Sequence, residues 1–251
     1  PGIKIDKDDF VYKEALEKDY FCKRADGPYM KGKVWPGECN FPDYTNPVVR
    51  EWWAGLFKEL ISDIGVKGVW NDMNEPAVME VPNKTFPMDV RHDYDGNPCS
   101  HRKAHNIYGT QMARATYHGV KRFAYPKRPF VITRSAYAGA QRYSSSWTGD
   151  NVASWEHLWI ANIQMQRMSI SGMGFTGSDI GGFAEQPSGE LYARWIQLGV
   201  FHPFCRTHSS GDHGDQEPWA FDEEVTNIIR KFVNLRYQLL PYLYTMFWQY
   251  I

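Results

Sequence analysis

The spacing of hydrophobic positions changes period several times along the chain. Asn46 and Pro47 make a cap and first-turn pair. After them Val49, Trp52, Trp53, Leu56, Phe57, Leu60, Ile61 and Ile64 recur at helical spacing until Gly65. This predicts a helix over 47–64. A short apolar run over 66–70 predicts a strand leading into Asp72. Residues 76–101, interrupted by Pro76, Pro82, Pro87 and Pro98, are expected to form a long loop. Four more strands are expected, over 130–133, 144–147, 173–176 and 200–204. They lead to Arg134, Asp150, Asp179, and Arg206 with His208. Between them lie predicted helices at 102–123, 155–171 and 188–198. A last helix starts from an Asp222 cap and is expected to kink at Pro241.

Five strand–helix units argue for a parallel sheet, and each strand ends in a polar or charged residue. Chemistry at the carboxyl ends of strands suits a (β/α)8 TIM barrel, and also an open doubly wound sheet. No glycine-rich phosphate loop follows any strand, which disfavours a nucleotide-binding open sheet. A barrel needs eight strands. The first 45 residues are rich in Lys, Asp, Gly and Pro and offer no convincing strand. The missing three are either unrecognised or outside the chain.

Composition narrows the field. The net charge is −1, without a basic excess, so a nucleic-acid partner is not expected. No apolar run is long enough for a membrane helix, and no signal-peptide pattern appears. The chain opens on Pro1-Gly2-Ile3 without Met, so it is expected to belong to a longer protein, and absent signals carry little weight. Cys22, Cys39, Cys99 and Cys205 lack paired spacing and are expected to be free thiols. Aromatic residues make up 16%, which suits sugar stacking and an aromatic-rich core equally.

The candidate chemistry lies at two strand ends. Trp70-Asn71-Asp72-Met73-Asn74-Glu75 places acids and amides just past a buried strand, where an idle carboxylate is costly. Trp147-Thr148-Gly149-Asp150-Asn151 supplies a second acid beside an aromatic ring. Two carboxylates across a scissile bond are what glycoside hydrolysis needs, although spacing alone also allows loop-capping acids. A metal centre is disfavoured. His202, His208, Asp212, His213 and Asp215 lack a ligand spacing, and Asp93-x-Asp95-Gly96-Asn97 lacks the distal acid of a calcium loop, so it reads as a turn.

These two segments resemble the nucleophile and acid/base signatures of glycoside hydrolase family 31, the α-glucosidase family, and the resemblance runs the length of the chain. It implies a retaining, exo-acting α-glucosidase on a (β/α)8 barrel, with no cofactor and an oligosaccharide substrate. It implies Asp72 as nucleophile and Asp150 as general acid and base. Position by position, it further implies sugar-site roles for Trp35 in Val34-Trp35-Pro36-Gly37, Trp70, Met73, Arg134 in Ile132-Thr133-Arg134-Ser135, and Trp147. It does the same for Asp179 and Phe183 in Gly177-Ser178-Asp179-Ile180-Gly181-Gly182-Phe183, and for His208 in Arg206-Thr207-His208. Asp179 could instead hold Arg206 or His208, and His105-Asn106-Ile107-Tyr108-Gly109 is expected to give structural support. Pro1-Gly2 resembles the tail of the third barrel strand, so residues 1–251 are expected to hold about strands 4–8 of one catalytic barrel. Such a piece alone is expected to be poorly soluble and inactive. Transglucosidase, α-xylosidase and non-catalytic sugar-binding readings stay open, as does homo-oligomerisation.

Overall fold

A computed structural model describes residues 2–212 and 214–250 of the chain. It divides between Ser144 and Ser145 into two units, each with its own buried core.

The first unit begins with β1 (Ile3–Lys4), α1 (Phe10–Glu17) and a hairpin of β2 (Lys31–Val34) and β3 (Gly37–Asn40). β3 lies between antiparallel neighbours β1 and β2. The opening 45 residues therefore do contain strands, contrary to expectation. Their pattern is illegible because β2 reads Lys-Gly-Lys-Val and only Val34 is fully buried. Cover comes from elsewhere: a Cβ at Gly32 would lie 2.7 Å from the Val78 side chain.

The Asn46 side chain accepts from the Val48 N–H and starts α2 (Pro47–Gly55). The α-helix stops nine residues earlier than expected. A π-helical turn, Glu59–Asp63, replaces its end and still buries Ile61. β4 (Val69–Asn71) follows. The expected long loop contains a second hairpin, β5 (Arg91–His92) with β6 (Cys99–Ser100). α3 (His101–Ala124) leads to β7 (Val131–Thr133), which pairs parallel with β4 from Val69↔Val131 to Asn71↔Thr133. Phe41, Tyr44, Phe86 and Tyr108 lie together in one buried core of this unit. Their rings meet edge to face, with Phe41–Phe86 centroids 4.9 Å and Tyr44–Tyr108 centroids 5.4 Å apart. Each such pair contributes about 0.5–1.5 kcal/mol beyond its burial.

In the second unit β8 (Ser145–Trp147) precedes α4 (Trp155–Ile170), capped by Ser154. β9 (Thr176–Gly177) pairs parallel with β8. β10 (Asp179–Ile180) leads to α5 (Gly189–Gly199), capped by Ser188, and to β11 (Arg206–Thr207), its parallel partner. The strand expected over 200–204 is instead a turn. Arg236 donates to the carbonyls of Val200, His202 and Pro203 at 2.6–2.9 Å, so these groups are not available to a ladder. Pro203 has no N–H to give to one. α6 (Glu223–Tyr250) starts at Asp222, whose side chain accepts from the Val225 N–H, and continues as helix through Pro241. Its inner face, with Val225 and Ile229, joins Trp195, Tyr192 and Ile180 in the core.

Candidate active site

In the first unit the candidate nucleophile follows β4 directly. The Arg134 N–H, just past β7, donates to the Asn71 carbonyl at 3.0 Å, so the parallel pairing carries on to the two site residues. Asn74 is fully buried and acts as a clamp. Its amide nitrogen donates to the Thr133 hydroxyl at 2.8 Å and its oxygen accepts from the Ser135 N–H at 3.1 Å. Between Asp72 and Asn74 the backbone of Met73 takes φ +59°, a left-handed conformation that is strained for a residue with a side chain. Gly109 on α3 allows this loop to lie close, since a Cβ there would sit 2.7 Å from the Asn74 carbonyl.

One guanidinium gathers the acids. Arg134 Nη1 lies 3.2 Å from Asp72 Oδ1. Nε and Nη2 of the same group bond the two Glu75 oxygens at 2.8 and 3.0 Å, a two-pronged pairing. Nη2 also lies 3.0 Å from Met73 Sδ. Asp72, Met73 and Arg134 are thus in mutual contact. Trp70, half-exposed, lies opposite Ile132 in the β4–β7 register. Trp35 occupies the β2–β3 turn and is 80% exposed, so it is not packed on the body of its unit.

In the second unit Asp150 is exposed and follows Gly149, whose φ of +83° turns the chain off β8. Its neighbour Asn151 ties three segments together. The Asn151 amide donates to the Asp179 carbonyl at 3.0 Å, and its own carbonyl accepts from the Phe183 N–H at 2.7 Å. Asp179 is wholly buried and accepts from Arg206 Nη2 at 2.8 Å. Burial pushes its carboxyl up to about 6; Arg206 pulls the other way and the Asp150 charge adds to the rise. The Arg206 guanidinium lies over the Trp147 and Phe204 rings, 5.5 and 5.1 Å from their centroids. Phe183 and His208 pack ring to ring with centroids 5.2 Å apart.

Two groupings escaped the sequence. Glu75 was visible only as the end of a signature, because its partner Arg134 lies 59 residues away. The other is Cys22, Asp43 and His92, all buried, whose donor atoms lie within 4.8 Å of one another. Hydrogen bonds account for it. Asp43 accepts from Thr45, His92 and the Asp93 N–H, and the second His92 nitrogen meets His101 Nδ1 at 2.9 Å. Of the histidine–aspartate run considered for a metal, His213 lies outside the described residues. In the 93–97 turn, Asp93 accepts from the Gly96 N–H, and Asp95 pairs with Arg50. All four cysteines are free. No helix among the described residues is long and apolar enough to cross a membrane.

Residues 1–246 match the model of the glycosyl hydrolases family 31 TIM-barrel domain. "Alpha-glucosidase 2" of Bacillus thermoamyloliquefaciens is 48% identical over 249 residues, covering 98% of this chain and 31% of that protein. The crystal structure of the glucosidase II alpha subunit with alpha3-Glc2 bound superposes with TM-score 0.93 at 40% identity, covering 100% of this chain and 27% of that one. A family 31 alpha-glucosidase from Bacteroides thetaiotaomicron gives TM-score 0.85 at 41% identity, covering 98% and 39% respectively. The chain therefore spans about a third or less of the length of the curated relatives it matches.

Proposed function

Since the chain belongs to glycosyl hydrolase family 31 and shares its TIM-barrel fold, we propose that it carries the catalytic carboxylates of a retaining, exo-acting α-glucosidase. Asp72 is the nucleophile and Asp150 the general acid and base. The observation that carries this reading is the end of β4: a half-exposed Asp72 carboxylate addressed by Arg134 in a loop clamped by Asn74.

Catalysis takes two displacements. The Asp72 carboxylate attacks the anomeric carbon of a terminal α-linked glucose, and the bond to the leaving oxygen breaks as Asp150 gives that oxygen its proton. The product is a β-glucosyl ester on Asp72. Asp150, now a carboxylate, takes a proton from water as that water attacks the anomeric carbon. The ester bond breaks, α-glucose leaves and both acids return to their starting states. Retention requires the two carboxyl groups to stand about 5–5.5 Å apart, against about 6.5–9.5 Å for inversion. Arg134 pairs with the Asp72 carboxylate that attacks. Trp35, Trp70, Met73, Trp147, Phe183 and His208 bind the sugar, and Asp179 supports the acid/base side through Arg206 and Trp147. An oligosaccharide ending in α-linked glucose is the substrate. The names of the relatives and the sugar-bound neighbour support this choice.

The test is chemical rescue in the full-length enzyme. Asp72→Ala should hydrolyse p-nitrophenyl α-glucoside at close to background rate, and azide should restore turnover with the β-glucosyl azide as product. Asp150→Ala with azide should yield the α-azide. An α-azide from Asp72→Ala would overturn the assignment.

A further inference from the structure

We propose that the cleft between α1, α2 and α3 in the first unit is a second carbohydrate site, which takes a neutral oligosaccharide on a platform of Trp52 and Tyr20, with Glu14, Lys18, Glu51 and Arg122 around it. It binds and does no chemistry, and no residue assigned to the catalytic site lines it. The proposal does not rest on the assignment of Asp72 and Asp150, so it stands or fails without them.

The sequence of α2 sets up the cleft. Val49, Arg50 and Ala54 are buried on one side of the helix. Val48, Glu51, Trp52 and Gly55 recur at three- and four-residue spacing on the other side and line the cleft. Gly55 leaves room there, since a Cβ would meet nothing within 4 Å. The cleft encloses about 730 Å³, inside the range of about 300–1,000 Å³ usual for small-molecule sites. Trp52 is half-buried and its ring is already fixed. Its Nε1–H donates to Glu14 at 2.9 Å, and the Tyr20 ring packs against it with centroids 5.2 Å apart. A rigid aromatic surface loses little freedom on binding and accepts the C–H face of a pyranose ring. The charged groups choose the ligand. Lys18 pairs with Glu14, and Arg122 Nη2 lies 2.6 Å from Glu51. Two cations and two carboxylates cancel, so the lining attracts neither an anion nor a cation by net charge. The bonds from Lys18 and the Trp52 N–H hold the Glu14 carboxyl below its ordinary value, so it stays an acceptor at neutral pH. A carboxylate accepts about four hydrogen bonds, and Lys and Arg donate about three and five. Each pair therefore keeps capacity to bond hydroxyl groups as donor and as acceptor. A neutral ligand with an apolar face and a rim of hydroxyls matches this lining, and an oligosaccharide has both.

The test uses the full-length enzyme with its catalytic site filled by saturating deoxynojirimycin, and titrates in maltohexaose by calorimetry. The oligosaccharide should still bind. Trp52→Ala, which removes the platform, should weaken that binding at least about tenfold. Gly55→Gln keeps every polar group and the Trp52–Tyr20 pair but projects a side chain into the cleft. It should weaken binding by a similar factor, so the result does not depend on how well Trp52→Ala folds. Both variants should keep kcat and KM on p-nitrophenyl α-glucoside within about twofold, because a one-ring substrate does not need the cleft. Absence of maltohexaose binding, or an affinity that both variants leave unchanged, would overturn the proposal. A cleft covered by another segment of the full-length protein would give the first of these results. Tighter, salt-sensitive binding of a sulfated oligosaccharide would mark an anion site and overturn it as well.

Discussion

Among single residues, Asp179 shows most clearly how burial and pairing compete. Its carboxyl has no exposure, and burial outweighs the Arg206 bond to leave it near 6. Arg206→Met should therefore destabilise the full-length enzyme at pH 7.5 by about 3–5 kcal/mol, since an ionised carboxylate would remain buried without its partner. The loss should shrink at pH 5, where Asp179 takes up a proton instead. Urea unfolding at both values tests this; an equal loss at both would remove Asp179 as the cause. The choice between a sugar contact and a support role for Asp179 was open from the sequence. The buried bond to Arg206 supports the second. Asp72 and Asp150 were legible because each sits in a contiguous signature. The Glu75–Arg134 and Cys22–Asp43–His92 groupings were not, because partners far apart in the chain leave no local pattern.

Among elements, helix starts were legible and so were β4, β7 and β8, whereas the strands of the opening 45 residues and the 91–100 hairpin were not. Asn46, Ser154 and Ser188 each accept from an N–H of the first turn that follows, a signal contained within four residues. The missed strands are two to four residues long, too short for alternation to declare itself. Helix packing adds a requirement that no propensity predicts. A Cβ at Gly119 on α3 would sit 2.5 Å from the Ala54 carbonyl of α2, whereas one at Gly55 meets nothing within 4 Å. Gly119→Ala should cost about 1–3 kcal/mol from overpacking despite its better helix propensity, worth about 1 kcal/mol. Gly55→Ala should be neutral or stabilising by up to about 1 kcal/mol. Denaturant midpoints of the two variants decide it, and equal effects would show that the α2–α3 contact tolerates the methyl group.

Across the whole chain, acid stability follows from two buried histidines in different units. Burial pushes His101 down to about 3, helped by the neighbouring His92 and His105, and His202 down to about 4, helped by Arg236. Both folded values lie below the ordinary 6.5, so below pH 6.5 the unfolded chain binds protons that the folded chain refuses. Their contribution is fully present above 6.5 and is lost on acidification, at on the order of 1 kcal/mol per pH unit for each. Asp179, raised to about 6, acts in the opposite sense: its contribution is present below the ordinary carboxylate value and lost as pH rises through 6. With two histidines against one acid, unfolding free energy should fall between pH 6.5 and 4. His202→Leu should flatten that slope, and a slope unchanged in the variant would rule His202 out.

The sequence by itself determined the family, the two strand-end acids, the helix caps and the parallel strand–helix alternation. Each is written in a few consecutive residues or in a short period, so neighbours along the chain suffice to read it. Only the tertiary structure decided which groups those residues meet: Glu75 on the Arg134 fork, Arg206 against Asp179 and the Trp147 ring, Arg236 on three carbonyls that would otherwise belong to a strand. Hydrogen-bond and ion-pair partners are selected by distance and direction in space. Separations of 27 to 59 residues along the chain hide such partners until the backbone is folded.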